Sequence, residues 1–202
     1  MGSPEDEFRA ALAEARRRER AAADKFAQGI GAEDGDLVIE SLQDLALYGG
    51  GASAFRKAIR HGGRSAAFRE RMLGLWLTNG DDLRDSAPSD LLLIDLLRVV
   101  LPPYAGAPLT LYRGDSARNR KRRTYGMSWT TDESIAQAFA HGYRDIYMGG
   151  TVVLKTVAPP DAIICAPAEI DNRYEEAEYV VDRRRLYDVR VIERLLPTKI
   201  QG

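Results

Sequence analysis

Apolar residues recur every three or four positions through the first half of the chain, which is the spacing of one helix face. Glycine or proline follows each of these stretches, and Ser65 and Ser89 stand where N-caps of the last two would lie. Residues 1–103 are therefore predicted to form an α-helical lobe. The predicted helices are about residues 5–28, 36–48, 52–61, 66–78 and 90–101.

After Pro108 the helical spacing gives way to short apolar runs that are typical of strands. One helix is inserted among them, capped by Asp132 and with Ile135, Ala136 and Phe139 expected to face inward. The predicted strands are about residues 109–112, 127–130, 151–157, 162–165, 178–181 and 186–192. The fold class is predicted to be α+β, with a split, mostly antiparallel β-core in residues 104–202.

Composition narrows the classes of function without choosing among them. The 202 residues are 45% hydrophobic and 29% charged, with a net charge of −1, so the chain as a whole has no pull towards nucleic acid or membrane. A single cysteine, Cys165, excludes an internal disulfide, and neither His61 nor His141 lies in a metal-binding pattern. Neither a membrane span nor a signal peptide is visible, which predicts a cytoplasmic protein or one delivered into a target cell by another route.

Three carboxylates stand just before a run of β-forming residues in the segment 174–182. Alternation in a strand puts Glu176, Glu178 and Val180 on one face, where two like charges repel each other. Paired acids in different environments divide acid–base and charge-stabilising work in many active sites. A solvated acidic strand end explains the same residues without any function.

Two motifs upstream of this segment favour a functional interpretation of the carboxylates. They are Leu-Thr-Leu-Tyr-Arg-Gly at 109–114 and Gly-Met-Ser-Trp-Thr-Thr at 126–131. A strand with Arg, then a Ser-x-Thr strand, then Glu-x-Glu resembles the Arg–Ser–Glu class of mono-ADP-ribosyltransferases, over about residues 108–195. That resemblance implies an ADP-ribosyltransferase core of two facing sheets with a cleft for NAD, which serves as substrate, and no metal.

The resemblance also implies roles for the residues of the motifs. Glu178 would hold the ribose 2′-hydroxyl of NAD and stabilise the oxocarbenium-like transition state. Glu176 would engage the guanidinium of an acceptor arginine, and Ser128 would orient Glu178. The residues implied to bind NAD are Arg113, Gly114, Ser128, Trp129, Thr130, Tyr143 and Arg144.

Two further segments are candidates for recognition. Tyr174, in the loop before Glu176, would contact the acceptor by resemblance. The basic run Arg118–Arg123 has three interpretations: a solvated loop, attraction of the dinucleotide, or docking of an acidic target. A nucleic-acid acceptor is the less favoured interpretation, because no aromatic residue beyond Tyr125 is interleaved with the run.

The sequence thus predicts an NAD-dependent mono-ADP-ribosyltransferase acting on a protein, with arginine as acceptor, as in bacterial toxins and effectors of the resembled family. An NAD glycohydrolase and a catalytically inactive binding module with the same fold are the alternatives. An inhibitor or activator protein could bind the helical lobe, and no membrane partner is expected.

Overall fold

The computed structural model describes residues 3–61, 64–167 and 178–198 of the chain. The chain divides into two compact units, Met1–Pro102 and Pro103–Gly202. The described part holds seven α-helices and one six-stranded antiparallel sheet, so the predicted α+β class is confirmed, with the helix-rich part first. None of the described helices combines the length and apolarity needed to cross a membrane.

The first unit is helical because its apolar stripes pack against one another and side chains cap the helix starts. Phe26 and Phe55 stack at 5.3 Å in its core, and both are fully buried. The Ser65 and Ser89 hydroxyls accept from backbone N–H groups three residues on, as the sequence predicts. The helices are α1 (Pro4–Ala32), α2 (Gly35–Tyr48), α3 (Gly51–Arg60), α4 (Ala66–Ser86) and α5 (Asp90–Val100).

The second unit carries the sheet and two helices. Its helices are α6 (Ala117–Arg122) and α7 (Glu133–Tyr143). Its strands are β1 (Leu109–Ser116), β2 (Ser128–Thr130), β3 (Thr151–Ala158), β4 (Ile163–Cys165), β5 (Glu178–Val181) and β6 (Arg190–Leu195). The spatial order of the strands is β4-β5-β2-β1-β3-β6, and every neighbouring pair is antiparallel.

The sheet consists of two halves that meet at a narrow junction. Strands β1 and β3 pair over eight residues, whereas β1 and β2 share only the pair Tyr112 and Thr130. Apolar side chains from both halves, among them Leu111, Trp129 and Val181, belong to one buried cluster. One face of the sheet therefore packs into the core of this unit. The polar residues of the motifs lie on the other face or at the junction.

Candidate functional site

The three sequence motifs lie on three neighbouring strands: β5, β2 and β1. Glu178 is directly opposite Thr130, and Thr130 is directly opposite Tyr112, so the three side chains share one face. The Cβ atoms of residues directly opposite each other are about 5 Å apart, and diagonal neighbours are about 7–8 Å apart. Ser128 is opposite Val180 and hence diagonal to half-buried Glu178. The register makes Thr130, the second hydroxyl of the Ser-x-Thr motif, the nearer cross-strand neighbour of Glu178.

Thr130 also fixes the chain where β2 leads into α7. Its hydroxyl accepts from the Asp132 backbone N–H at 3.1 Å, and Thr130 is 5% exposed. Asp132 in turn caps α7 by accepting from the Ser134 hydroxyl and backbone N–H. The hydrogen bond from the Ser134 side chain is the main cause that lowers the pKa of the Asp132 carboxyl. These contacts hold the end of β2, and with it the row that contains Glu178.

Two predicted site residues, Glu176 and Tyr174, lie outside the described residues. Their assignment to the acceptor stays a prediction from the sequence.

Arg113 lies in the middle of β1, because the strand continues to Ser116 instead of ending at residue 112 as predicted. Its Nε donates to Asp115 Oδ2 at 2.7 Å, and its Nη1 donates to the Ser128 carbonyl at 2.5 Å. Strand alternation puts Arg113 on the face opposite Tyr112 and Glu178. The guanidinium therefore spans the junction where the backbone pairing of β1 and β2 stops.

Asp115 is a residue that the sequence interpretation missed. It is 6% exposed, and its carboxylate accepts from Arg113, the Ser116 N–H, the Asn119 side chain and the Gly126 N–H. One buried carboxylate thus joins β1, the start of α6 and the turn before β2. Its position two residues after Arg113 in a strand, hence on the same face, is the signal that could have indicated this pair.

Gly114, predicted to bind NAD, has a structural reason to be glycine. A Cβ there would overlap the Ala136 carbonyl and the Ala140 backbone nitrogen of α7. Helix α7 packs on this part of the sheet through the small buried residues Ala136 and Ala140 against Val153. The close approach of helix and strand explains Gly114 without a ligand.

The side chain of Trp129 lies in the apolar core, so the structure gives its predicted contact with NAD no support, and that contact stays a prediction. Trp129 is 2% exposed, belongs to the apolar core and donates its Nε1–H to the Gly126 carbonyl at 3.1 Å. Period-2 alternation between Ser128 and Thr130 sends the indole to the opposite, buried face. Tryptophan favours β-strands, and in this strand its side chain contributes to the packing of the core.

A second residue that the sequence interpretation missed is Lys155 on β3. It is directly opposite Tyr112, so it extends the row of Glu178, Thr130 and Tyr112 by one strand on the same face. The Lys155 Nζ lies 5.2 Å from the centre of the Tyr112 ring, a cation–π contact. No carboxylate within the described ranges lies within 4 Å of it. A cation with no carboxylate partner among the described residues is suited to a phosphate.

Tyr143 is the last residue of α7 and Arg144 is its C-cap. The Tyr143 ring is near-parallel to that of Phe139 at 6.4 Å and lies 6.0 Å from that of Tyr147. The prediction that Phe139 faces inward is wrong, since it is 42% exposed while Ala136 and Ala140 are buried. Arg144 pairs with Asp145 at 3.5 Å. The three aromatic rings form an exposed ladder, which we call the Phe139–Tyr147 ladder.

The basic run is helix α6 and not the loop that the sequence suggested. The Ser116 hydroxyl accepts from the Asn119 N–H at 3.0 Å and starts the helix, and Arg123 ends it in the left-handed region. Cations in the last turn are favourably placed relative to the helix dipole.

Within the ranges that the structure covers, no group of three or more His, Cys, Asp or Glu side chains could hold a metal ion. Cys165 is buried, as expected of a small apolar residue. Comparison of the chain with protein-family models, with curated proteins and with solved structures gave no match in any of the three.

Proposed function

We propose that the protein is a mono-ADP-ribosyltransferase that transfers ADP-ribose from NAD to arginine on a protein, and that its sheet is an ADP-ribosyltransferase core. The observation that supports this is the adjacency of β5, β2 and β1, which brings Glu178 opposite Thr130 and diagonal to Ser128. A carboxylate and two hydroxyl residues share one face of the sheet at the point where its two halves part.

The main contribution that this reaction requires of the protein is a charged group placed close to the reacting carbon. The bond between ribose C1′ and the nicotinamide nitrogen breaks, and its electron pair leaves with nicotinamide. The resulting oxocarbenium-like centre is stabilised by a carboxylate, the role proposed for Glu178. A guanidinium nitrogen of the acceptor then attacks C1′ and loses a proton. Because a guanidinium is almost always protonated, a carboxylate close to it, the role proposed for Glu176, makes that attack feasible by orienting the guanidinium and accepting the proton.

The test measures nicotinamide release and acceptor labelling in parallel for two variants. Glu178→Gln keeps the side-chain size but removes the charge, so both activities should fall about 10²–10³-fold. Glu176→Gln should lose transfer to arginine and keep most of the NAD hydrolysis, because hydrolysis uses water as the acceptor and needs no carboxylate to bind a guanidinium. Glu70→Gln, an exposed change in the first unit, is the matched control and should retain both activities.

The outcomes separate the proposal from its alternatives. Nicotinamide release without labelled protein would identify an NAD glycohydrolase. Wild-type protein that neither cleaves NAD nor labels a lysate would indicate a binding module with this fold. Full transfer by Glu176→Gln would show that the acceptor is not arginine.

A role as a bacterial toxin or effector follows from the resembled family, and it enters the proposal only on that ground. Expression of wild-type protein and of Glu178→Gln in the same host tests it: toxicity should require Glu178.

A further inference from the structure

Helix α6 concentrates positive charge that has no carboxylate partner among the described residues. Arg118, Lys121 and Arg122 have the spacing i, i+3, i+4 of one helix face, and Arg123 follows; all four are exposed. No carboxylate in the described part of the chain lies within 4 Å of any of the four. By contrast, four other arginines of this unit each pair with an aspartate: Arg144, Arg184, Arg185 and Arg190.

The helix is held firmly, so these charges are presented in a fixed arrangement. The buried carboxylate of Asp115 accepts from the Asn119 side chain at 2.8 Å, and the Asn119 backbone carbonyl accepts from the Thr124 N–H at 3.0 Å. Arg120 points back into the unit, where it donates to the Tyr125 hydroxyl and the Val189 carbonyl. One side of α6 is thus tied to the sheet, and the cationic side faces solvent.

The Phe139–Tyr147 ladder reaches the start of this helix. The Tyr147 carbonyl accepts from the Gly150 N–H at 2.8 Å, and the Gly150 carbonyl accepts from the Ala117 N–H, the first residue of α6, at 3.0 Å. Tyr143 and Tyr147 are 45% and 43% exposed. The fold therefore joins the end of the ladder, through Gly150, to the first residue of α6.

We infer that α6 and the adjoining ladder form a binding surface for single-stranded nucleic acid. Phosphates match a row of unpaired cations, and exposed rings offer stacking platforms to bases that are not already stacked in a duplex. An acidic protein would use the cations but would give the neighbouring rings no role, so the combination favours a single strand. This inference does not depend on the proposed transferase activity, since neither the cations of α6 nor Tyr147 is among the residues proposed to bind NAD; Tyr143 is the one residue that belongs to both sets.

The test is fluorescence polarisation of a labelled oligouridylate of about 20 nucleotides against the full chain, over about 50–200 mM salt. The variant Arg118→Gln/Lys121→Gln/Arg122→Gln removes three cations. For single strands each phosphate contact contributes about 0.7 to the slope of log affinity against log salt, so this variant should lower the slope by about 2. Arg16→Gln/Arg20→Gln/Arg56→Gln removes the same charge from exposed positions of the first unit and should leave the slope unchanged.

The rings are tested separately by Tyr147→Ala, which should weaken binding about tenfold without changing the salt slope, because it removes stacking and no charge. The inference is overturned if the wild-type chain does not bind the oligonucleotide at low salt, or if the α6 variant keeps the wild-type slope. It is also overturned if polyglutamate competes as well as oligouridylate and Tyr147→Ala has no effect, since an acidic protein would then be the better partner.

Discussion

Arg113 and Asp115 illustrate how one buried pair can hold a junction between strands. Their side chains are 22% and 3% exposed, and Nε and Oδ2 are 2.7 Å apart. A buried carboxylate that loses its cationic partner is strongly destabilising, because its desolvation is no longer offset. Two of the guanidinium's nitrogens already serve this pair and the Ser128 carbonyl, and the third, Nη2, lies against Gly126.

Replacing Arg113 should therefore be a stability change in the first place. Arg113→Gln is expected to lower the free energy of unfolding by about 3 kcal/mol, since Asp115 keeps its burial and loses its cation. Denaturant unfolding measures it, with Arg194→Gln as a control at an exposed strand position. An Arg113→Gln protein of wild-type stability that binds NAD weakly would instead assign the guanidinium to the dinucleotide directly.

Lys155 is the cation that shares a face with Glu178. Three strand spacings of about 4.8 Å separate β5 from β3, and the Lys155 ammonium leans back over the Tyr112 ring. In the proposed site, NAD lying along this row would have its ribose at the Glu178 carboxylate and its diphosphate towards the Lys155 ammonium.

Lys155→Gln should accordingly raise the KM for NAD about tenfold and leave kcat nearly unchanged, because the contact with phosphate is the same in ground and transition states. Lys155→Arg keeps the charge and should restore most of the affinity. Steady-state NAD cleavage gives both constants. An unchanged KM in Lys155→Gln would exclude this residue from the donor site.

At the level of elements, the contact of α7 with β1 determines how much of the polar face stays open. The helix approaches the strand over Gly114 through Ala136 and Ala140, so its backbone lies against the sheet. Larger residues at this contact would lift α7 away and change the shape of the face beside Thr130.

Gly114→Ala tests that contact. The added methyl group meets helix backbone, which cannot rotate away, so we expect a loss of about 1–3 kcal/mol in unfolding free energy. Gly142→Ala is the matched control in the same helix: no atom lies within 4 Å of its Cβ position, and the change should stabilise by a few tenths to 1 kcal/mol. Equal stability of the two variants would refute the close packing of α7 on β1.

Whether a segment forms a helix or a strand was predictable where its apolar residues recur at a regular spacing or where a capping residue is present. The caps Ser65, Ser89 and Asp132 all lie where the sequence put them, and β5 has the predicted bounds. Element ends were less predictable, because tertiary packing overrides local breakers. Helix α1 runs through Gly29 and Gly31 to Ala32, and Gly29 lies where a Cβ would crowd Val38 of α2. That glycine permits helices to approach each other and does not end one.

The candidate site was also predictable only in part. Motif order along the chain indicated which strands carry Glu178, Ser128 and Arg113, but only the register shows which side chains are neighbours. Lys155 went unnoticed because it is the single charged residue of an apolar strand, and Asp115 because it lies beyond the predicted end of its strand, outside any motif. Trp129 lies between two candidate site residues of β2, so its side chain points to the opposite face, which motif spacing alone did not indicate.

For the whole molecule, a formal net charge of −1 means that long-range attraction of anions is weak, so salt effects on activity must come from local charge. The exposed cations of α6 are the strongest such feature among the described residues. Their cationic side faces solvent, whereas Lys155 lies on the polar face of the sheet with Glu178. NAD cleavage and acceptor labelling should therefore respond differently when α6 is neutralised.

The last prediction joins the α6 surface to the proposed transferase. In a cell lysate at low salt, Arg118→Gln/Lys121→Gln/Arg122→Gln should label fewer proteins than wild type while cleaving NAD at the wild-type rate, because the dinucleotide does not need α6. The difference in labelling should shrink as salt is raised, since exposed charges are screened.

Treatment of the lysate with ribonuclease should lower wild-type labelling to the level of the variant, if α6 brings the enzyme to acceptors held on RNA. A difference that survives ribonuclease would mean that α6 docks on the acceptor protein itself, and a parallel loss of NAD cleavage would mean that the basic helix attracts the dinucleotide.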